Sequence, residues 1–214
     1  MLAGTPSVFI RTSGCNLRCV WCDTPYTSWR PEGTERSLAE ILAETKKHPS
    51  RYAVVTGGEP LLANEIEGLT RNLKQKDYHV TIETAATIFK PVTCDLVSIS
   101  PKLSNSTPWE REKGKFARMH EQHRLNFPVI QRFIQDYDYQ LKFVVDKRRD
   151  FAEIRGVLKT LRNTEGDRVL VMARGKTRNE LNKKARWIVD LCKKYDFRYT
   201  PRLQIDLYGN RRGK

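Results

Sequence analysis

Long apolar runs are missing from this chain of 214 residues. No stretch approaches the roughly 20 residues that a membrane-spanning helix needs, and no charged-then-apolar leader opens it, so we expect a cytoplasmic protein with no membrane association. Cysteine is scarce. There are five, an odd number that does not suit the disulfide framework of a short secreted chain. No further C-x-x-C pair and no H-x3-H pair follows the amino-terminal cysteines to complete a regular zinc site. An aromatic RNP signature, an internal repeat and a low-complexity tract are also missing, so no direct nucleic-acid contact is expected.

Hydrophobic residues make up 39% of the chain and charged residues 30%, the balance of a soluble globular protein, and the length suits one domain over 1–214. The charge is lopsided: 39 Lys and Arg stand against 25 Asp and Glu, a net +14. Such an excess suits an anionic substrate, an acidic protein partner or nucleic acid, and says nothing about fold. The basic residues are spread over 142–149, 155–162, 174–186 and 198–214, as solvated faces and tails would be.

Apolar, β-branched runs predict strands over 7–10, 52–56, 78–83, 95–100, 140–145 and 168–172, with a last one over 201–207. Helices fall between them. Ser37-Leu38-Ala39-Glu40 has the form of a capping box, residues 61–76 carry Leu62, Ile66, Leu69 and Leu73 on one stripe, and further helices are predicted over 127–137 and 151–161. Thr177-Arg178-Asn179-Glu180 caps another that reaches about Lys194, with Leu181, Ile188, Val189 and Cys192 apolar. Residues 103–139 fit the alternation least, with 109–124 charged and helical. Alternating strands and helices give a parallel sheet with right-handed crossovers, an α/β fold. Roughly six repeats are too few for a closed eight-stranded barrel.

Cys15, Cys19 and Cys22 form a C-x3-C-x2-C loop leaving the first strand. Spacing alone leaves a cluster, a zinc site and coincidence open. Three thiolates on a four-iron cube would leave one iron without a protein ligand, open to a small molecule. Cys94 and Cys192 read as small buried side chains. His48, His79, His120 and His123 lack ligand spacing to the loop and receive no role.

The neighbouring motifs narrow the choice. Gly14-Cys15-Asn16-Leu17-Arg18-Cys19, Cys22-Asp23-Thr24-Pro25-Tyr26 and Thr56-Gly57-Gly58-Glu59-Pro60 together resemble the radical S-adenosylmethionine (SAM) enzymes, and among them the 7-carboxy-7-deazaguanine synthases of the QueE type. The resemblance runs through nearly the whole chain. It implies an open, partial TIM-like barrel with reduced helices, whose chemistry sits at the carboxyl ends of the strands. It implies a [4Fe-4S] cluster on Cys15, Cys19 and Cys22 whose open iron takes SAM, and conversion of 6-carboxy-5,6,7,8-tetrahydropterin to 7-carboxy-7-deazaguanine with loss of ammonia. It also implies Mg2+, a homodimer and a flavodoxin-type reductant. The alternatives are another radical SAM enzyme, protein-activating or RNA-modifying, and a zinc-bearing basic nucleic-acid module without redox chemistry.

Carried over residue by residue, the resemblance gives SAM contacts to Trp21, Cys22 and Asp23, to Gly57-Gly58-Glu59 at the methionine end, and to Ser100-Pro101-Lys102. Thr24 would offer its hydroxyl to Mg2+, and Arg11 and Thr56 would hold the substrate, Arg11 by its carboxylate. No catalytic residue is assigned beyond the cofactor ligands. Read without the resemblance, Gly57-Gly58-Glu59 is also a plain strand-to-helix turn opened by Pro60, and Arg11 a salt-bridged strand-end arginine. Three departures stand out. The Gln-Gly-Glu-Gly segment that lines the family's substrate pocket would fall before Met1-Leu2-Ala3-Gly4. Met172-Ala173-Arg174-Gly175 carries Arg174 where relatives have Met-Pro-Glu-Gly or Gln-Pro-Met-Asp near the adenosine, and Gln204 stands where a histidine is common.

Overall fold

The computed structural model describes residues 2–212. Its frame is one parallel sheet in sequence order: β1 (Val8–Thr12), β2 (Tyr52–Gly57), β3 (His79–Thr84), β4 (Leu96–Ile99), β5 (Tyr139–Val145), β6 (Val169–Ala173) and β7 (Arg198–Thr200). Seven strands stand where about six were expected. β1 and β7 are the two edges, so the sheet is open. Val55, Ile82, Val97, Leu141, Phe143 and Val171 are fully buried on one face against the helices. Burial at this density is what lets a parallel sheet read as near-continuous apolar runs.

The helices are α1 (Leu38–Lys46), α2 (Ile66–Gln75), α3 (Ala117–His123), α4 (Phe127–Asp136), α5 (Asp150–Thr160), α6 (Arg178–Tyr195) and α7 (Leu203–Tyr208). Both predicted capping boxes are formed, at Ser37 with Glu40 and at Thr177 with Glu180. Among the described residues no helix is long and apolar enough to cross a membrane.

Three predicted elements differ. The helix over 61–76 is broken: Pro60–Leu62 is a 3-10 turn, Ala63 is extended at ψ 133°, and α2 starts at Ile66. The Ala63 carbonyl accepts instead from Lys90 Nζ at 2.8 Å. The strand over 201–207 lies three residues earlier. Pro201 has no N–H to continue a ladder, so β7 stops at Thr200 and α7 follows. The alternation of Leu203, Ile205 and Leu207 misleads, because on a helix Ile205 is buried while Leu203 and Leu207 are 39% and 68% exposed. Residues 109–124 are helical only from Ala117. Before it lies a turn over Arg111–Gly114, with Glu112 and Lys113 left-handed at φ 51° and 54°.

Candidate active site

The ends of β1 and β2 are welded together by backbone. Gly58 N–H donates to Thr12 O at 3.2 Å, and Glu59 N–H donates to Gly14 O at 2.9 Å. A Cβ on Gly58 would sit 2.1 Å from Gly14 O and 2.5 Å from Thr27 O. Gly57 has φ +147°, and its Cβ would meet Thr12 O at 2.2 Å. Both glycines are therefore required by the approach of the cysteine loop itself. The Glu59 side chain, 1% exposed, is turned inward: its carboxylate accepts from Thr84 Oγ1 at 2.7 Å, Ala85 N–H at 2.9 Å and Leu61 N–H at 3.2 Å. Burial pushes its pKa up against these bonds. A direct ligand contact from that carboxylate does not fit this geometry, so only the backbone edge of the turn is left to meet a ligand.

The segment between β4 and β5, which broke the strand–helix alternation, cradles the cysteine loop. Val20 N–H donates to Ser106 O at 2.7 Å, and the Trp21 indole donates to Asn105 O at 3.0 Å. His120, fully buried, accepts the Arg18 N–H on Nδ1 at 3.1 Å. Its Nε2 lies 2.9 Å from Ser106 Oγ, which donates to Leu103 O, so Nε2 carries the proton. Burial pulls the imidazole down to about 4, which keeps it neutral and able to accept. On the outer side, Trp29 Nε1 donates to Cys19 O at 2.9 Å, and the Arg111 guanidinium stacks 3.6 Å from the Trp29 ring.

Cys15, Cys19 and Cys22 are all free thiols. Burial raises Cys15 to about 11 and Cys19 to about 12; the Lys102 ammonium opposes the shift at both. Lys102 is held by Ser100, whose carbonyl and hydroxyl each accept from Nζ at 2.7 Å. Among the described residues no three His, Cys, Asp or Glu side chains gather around one point as ligands to a single metal ion do. A tetrahedral zinc would draw its sulfurs within about 4 Å of one another, whereas thiolates on separate irons of a cube stand farther apart. Cys19 is buried and Cys15 and Cys22 half-buried, with the Lys102 cation near Cys15 and Cys19, and this arrangement fits a cluster better than a mononuclear ion.

On the face opposite the helices, strand register aligns a polar row: Arg11 pairs Thr56, Thr56 Oγ1 donates to Glu83 Oε2 at 3.2 Å, Glu83 pairs Ser98, and Ser98 Oγ accepts from Gln140 at 2.8 Å. Lys142 reaches across β4 to pair with Glu83. Burial pulls Lys142 down to about 8, with the Asp23 carboxylate opposing the shift. Arg11 is exposed and has no ion-pair or hydrogen-bond partner among the described residues, unlike the strand-end salt bridge of the alternative reading. Thr24 Oγ1 lies 3.8 Å from Cys22 Sγ and takes a bond from Thr27 Oγ1 at 3.3 Å. With no acidic cluster beside it, a Mg2+ there would depend on water and substrate oxygens.

Asp23, expected at the SAM site, has an ion-pair partner in the structure. It pairs with Arg202, which also donates to Gly175 O at 3.0 Å, so the loop after β1 is tied to the segment after β7 across the open side. Arg202 is 9% exposed at its side chain and Asp23 44%. Asp23→Ala is therefore expected to cost about 2 kcal/mol and Arg202→Met less, because only the first strands a buried charge; equal losses in urea denaturation would count against this asymmetry. Arg202, Arg174, Lys184 and Trp21 line a cavity of about 400 Å³, in which Arg174 and Lys184 both pair with Asp146. Gln204 lies exposed on α7.

The profile of the Radical SAM superfamily matches residues 9–188. The chain is 43% identical over 213 residues to the 7-carboxy-7-deazaguanine synthase of Rhodopirellula baltica, covering 99% of itself and 82% of that protein. It is 40% identical over 219 residues to the one from Halobacterium salinarum, covering 98% and 85%. The chain belongs to the 7-carboxy-7-deazaguanine synthase family. The crystal structure of QueE from Escherichia coli shares the fold, with TM-score 0.66 at 23% identity over 93% of this chain and 86% of that one. As a radical SAM lyase of this synthase family, the protein works with a [4Fe-4S] cluster and SAM.

Of the residues predicted from sequence, the structure brings together the cysteine loop, the Gly57-Gly58 turn and Lys102, with Arg11 and Thr56 paired one register position before Gly57. Sequence reasoning missed the fastening residues His120, Asn105 and Arg202 and the Glu83–Lys142 pair. Only Glu83 carried a signal, as a carboxylate at the end of a predicted strand.

Proposed function

We propose that this chain, as one domain, contracts the ring of 6-carboxy-5,6,7,8-tetrahydropterin to 7-carboxy-7-deazaguanine with loss of ammonia. The observation that carries this reading is the 43% identity over almost the whole chain with a protein of that name. The cluster and SAM, when bound, would supply one-electron reductive cleavage of the sulfonium and so the radical chemistry that starts from a substrate C–H bond. Cys15, Cys19 and Cys22 would hold the cluster, and Lys102 favours the thiolate form of Cys15 and Cys19 against their burial. In this reading the backbone edge of Gly57-Gly58, the stretch Ser100-Pro101-Lys102 and Trp21 would contact SAM; Trp21 lines a cavity with Arg174 and Lys184.

Arg11 supplies the unpaired guanidinium that the substrate carboxylate needs, with Thr56 beside it in register. Thr24 serves Mg2+ in company with substrate and water. The same reading includes a homodimer, a flavodoxin-type reductant and a cytoplasmic setting.

Anaerobic reconstitution followed by turnover with the tetrahydropterin tests the assignment. Deoxyadenosine formed without consumption of the pterin would sink the specific substrate while keeping radical chemistry. Arg11→Ala is expected to raise KM for the pterin roughly 10- to 100-fold, the worth of a charged hydrogen-bonded pair. Uncoupled SAM cleavage should be unchanged; equal loss of both would assign Arg11 a structural role.

A further inference from the structure

The β4–β5 segment presents an outer surface that neither substrate nor SAM explains. Trp109 is 61% exposed, the largest apolar side chain left in solvent there. Arg111, Lys113, Lys115 and Arg118 follow it within ten residues, against Glu110 and Glu112. Glu112, Lys113, Lys115 and Arg118 are exposed around the left-handed turn at Glu112 and Lys113. Arg18, on the cysteine loop itself, joins the patch through Phe116, with its guanidinium 5.3 Å from the ring. Lys115 Nζ lies 5.3 Å from the same ring. Exposed Arg and Trp side by side are the residue types that dominate protein interfaces.

The patch is joined by direct contacts to the cysteine loop. Arg111 stacks on Trp29 and donates to Val20 O at 3.3 Å, and Trp29 donates to Cys19 O. Two side chains therefore separate the basic surface from the backbone of a thiol-bearing residue.

We propose that Trp109, Lys113, Lys115 and Arg118 form the docking surface for an acidic one-electron donor protein, an inference that rests on the radical reading above. The donor's reduced centre loses one electron and the cluster gains it, with no atom or proton taken from the chain. Charge of opposite sign steers the encounter and makes it dependent on salt. Four basic side chains against two acidic ones over residues 109–118 give this stretch a net positive charge beside the cysteine loop.

The test compares Lys113→Glu/Lys115→Glu/Arg118→Glu with the unmodified protein under two reductants, reduced flavodoxin and dithionite, with deoxyadenosine formation as readout. Flavodoxin-driven turnover is expected to fall roughly tenfold or more and to lose its salt dependence, while the dithionite-driven rate stays unchanged. An unchanged flavodoxin rate overturns the proposal. So does a parallel fall under both reductants, or a variant that loses only retention of RNA. Absence of dithionite-driven cleavage in the unmodified protein would instead bring down the radical reading.

Discussion

Gly58→Ala is expected to lose the site altogether. The added methyl would lie 2.1 Å from Gly14 O and 2.5 Å from Thr27 O, and both neighbours are backbone, which cannot rotate away as a side chain can. Thr27 O also accepts the Gly14 N–H at 2.9 Å, so both atoms belong to the turn that launches the cysteine loop. Relief requires that the loop lift off the end of β2, breaking the Glu59 N–H bond to Gly14 O. We expect a cost of roughly 3 kcal/mol or more, the upper range for forced overpacking. Reconstituted iron should fall to a small fraction of the unmodified value. Gly156→Ala is the matched control: it lies inside α5 with nothing within 4 Å of the new methyl. That change should stabilise by up to about 1 kcal/mol, since alanine is the better helix former. A Gly58→Ala protein that retains iron and its denaturation midpoint would show that the close approach is not obligatory.

The contrast between these two glycines shows where the sequence is readable. Six of the seven strands follow from apolar runs, because a sheet buried on the helix side has to be built from residues such as Ala53, Val55, Val97 and Val171. The cysteine spacing and the Gly-Gly-Glu turn are local signals, and both stand where the strand ends were predicted. What held no local signal is the fastening of the loop. His120 meets Arg18 across 102 positions and Lys142 meets Glu83 across 59, and nothing in the neighbourhood of either residue marks the partnership. Residues 103–124 look irregular for the same reason: their backbone and polar side chains serve the cysteine loop, so no apolar period is imposed on them. At the carboxyl end the error has a simpler source. Alternating Leu203, Ile205 and Leu207 satisfies a strand pattern, and one proline decides against it.

The second large effect concerns acid. His120 is neutral in the fold because burial holds its imidazole at about 4, against 6.5 for an unperturbed histidine. Below 6.5 the unfolded chain takes up a proton that the folded chain refuses until about 4, so stability is present above that window and drains away as pH falls through it. At about 1.4 kcal/mol per pH unit, the full window is worth about 3 kcal/mol. His120→Asn keeps an acceptor toward the Arg18 amide and has nothing to titrate. Urea denaturation between pH 7 and pH 4 should therefore show the unmodified protein losing about 3 kcal/mol more than the variant, the carboxylates contributing alike to both. The molecular consequence is specific to the loop. Protonation at Nδ1 replaces an acceptor by a donor facing the Arg18 N–H, so that amide is released first. Hydrogen exchange at Arg18 in the metal-free protein should accelerate on acidification before the amides of β5 or β6 do. If the two proteins share one acid limb, the buried imidazole is not what couples the loop to pH.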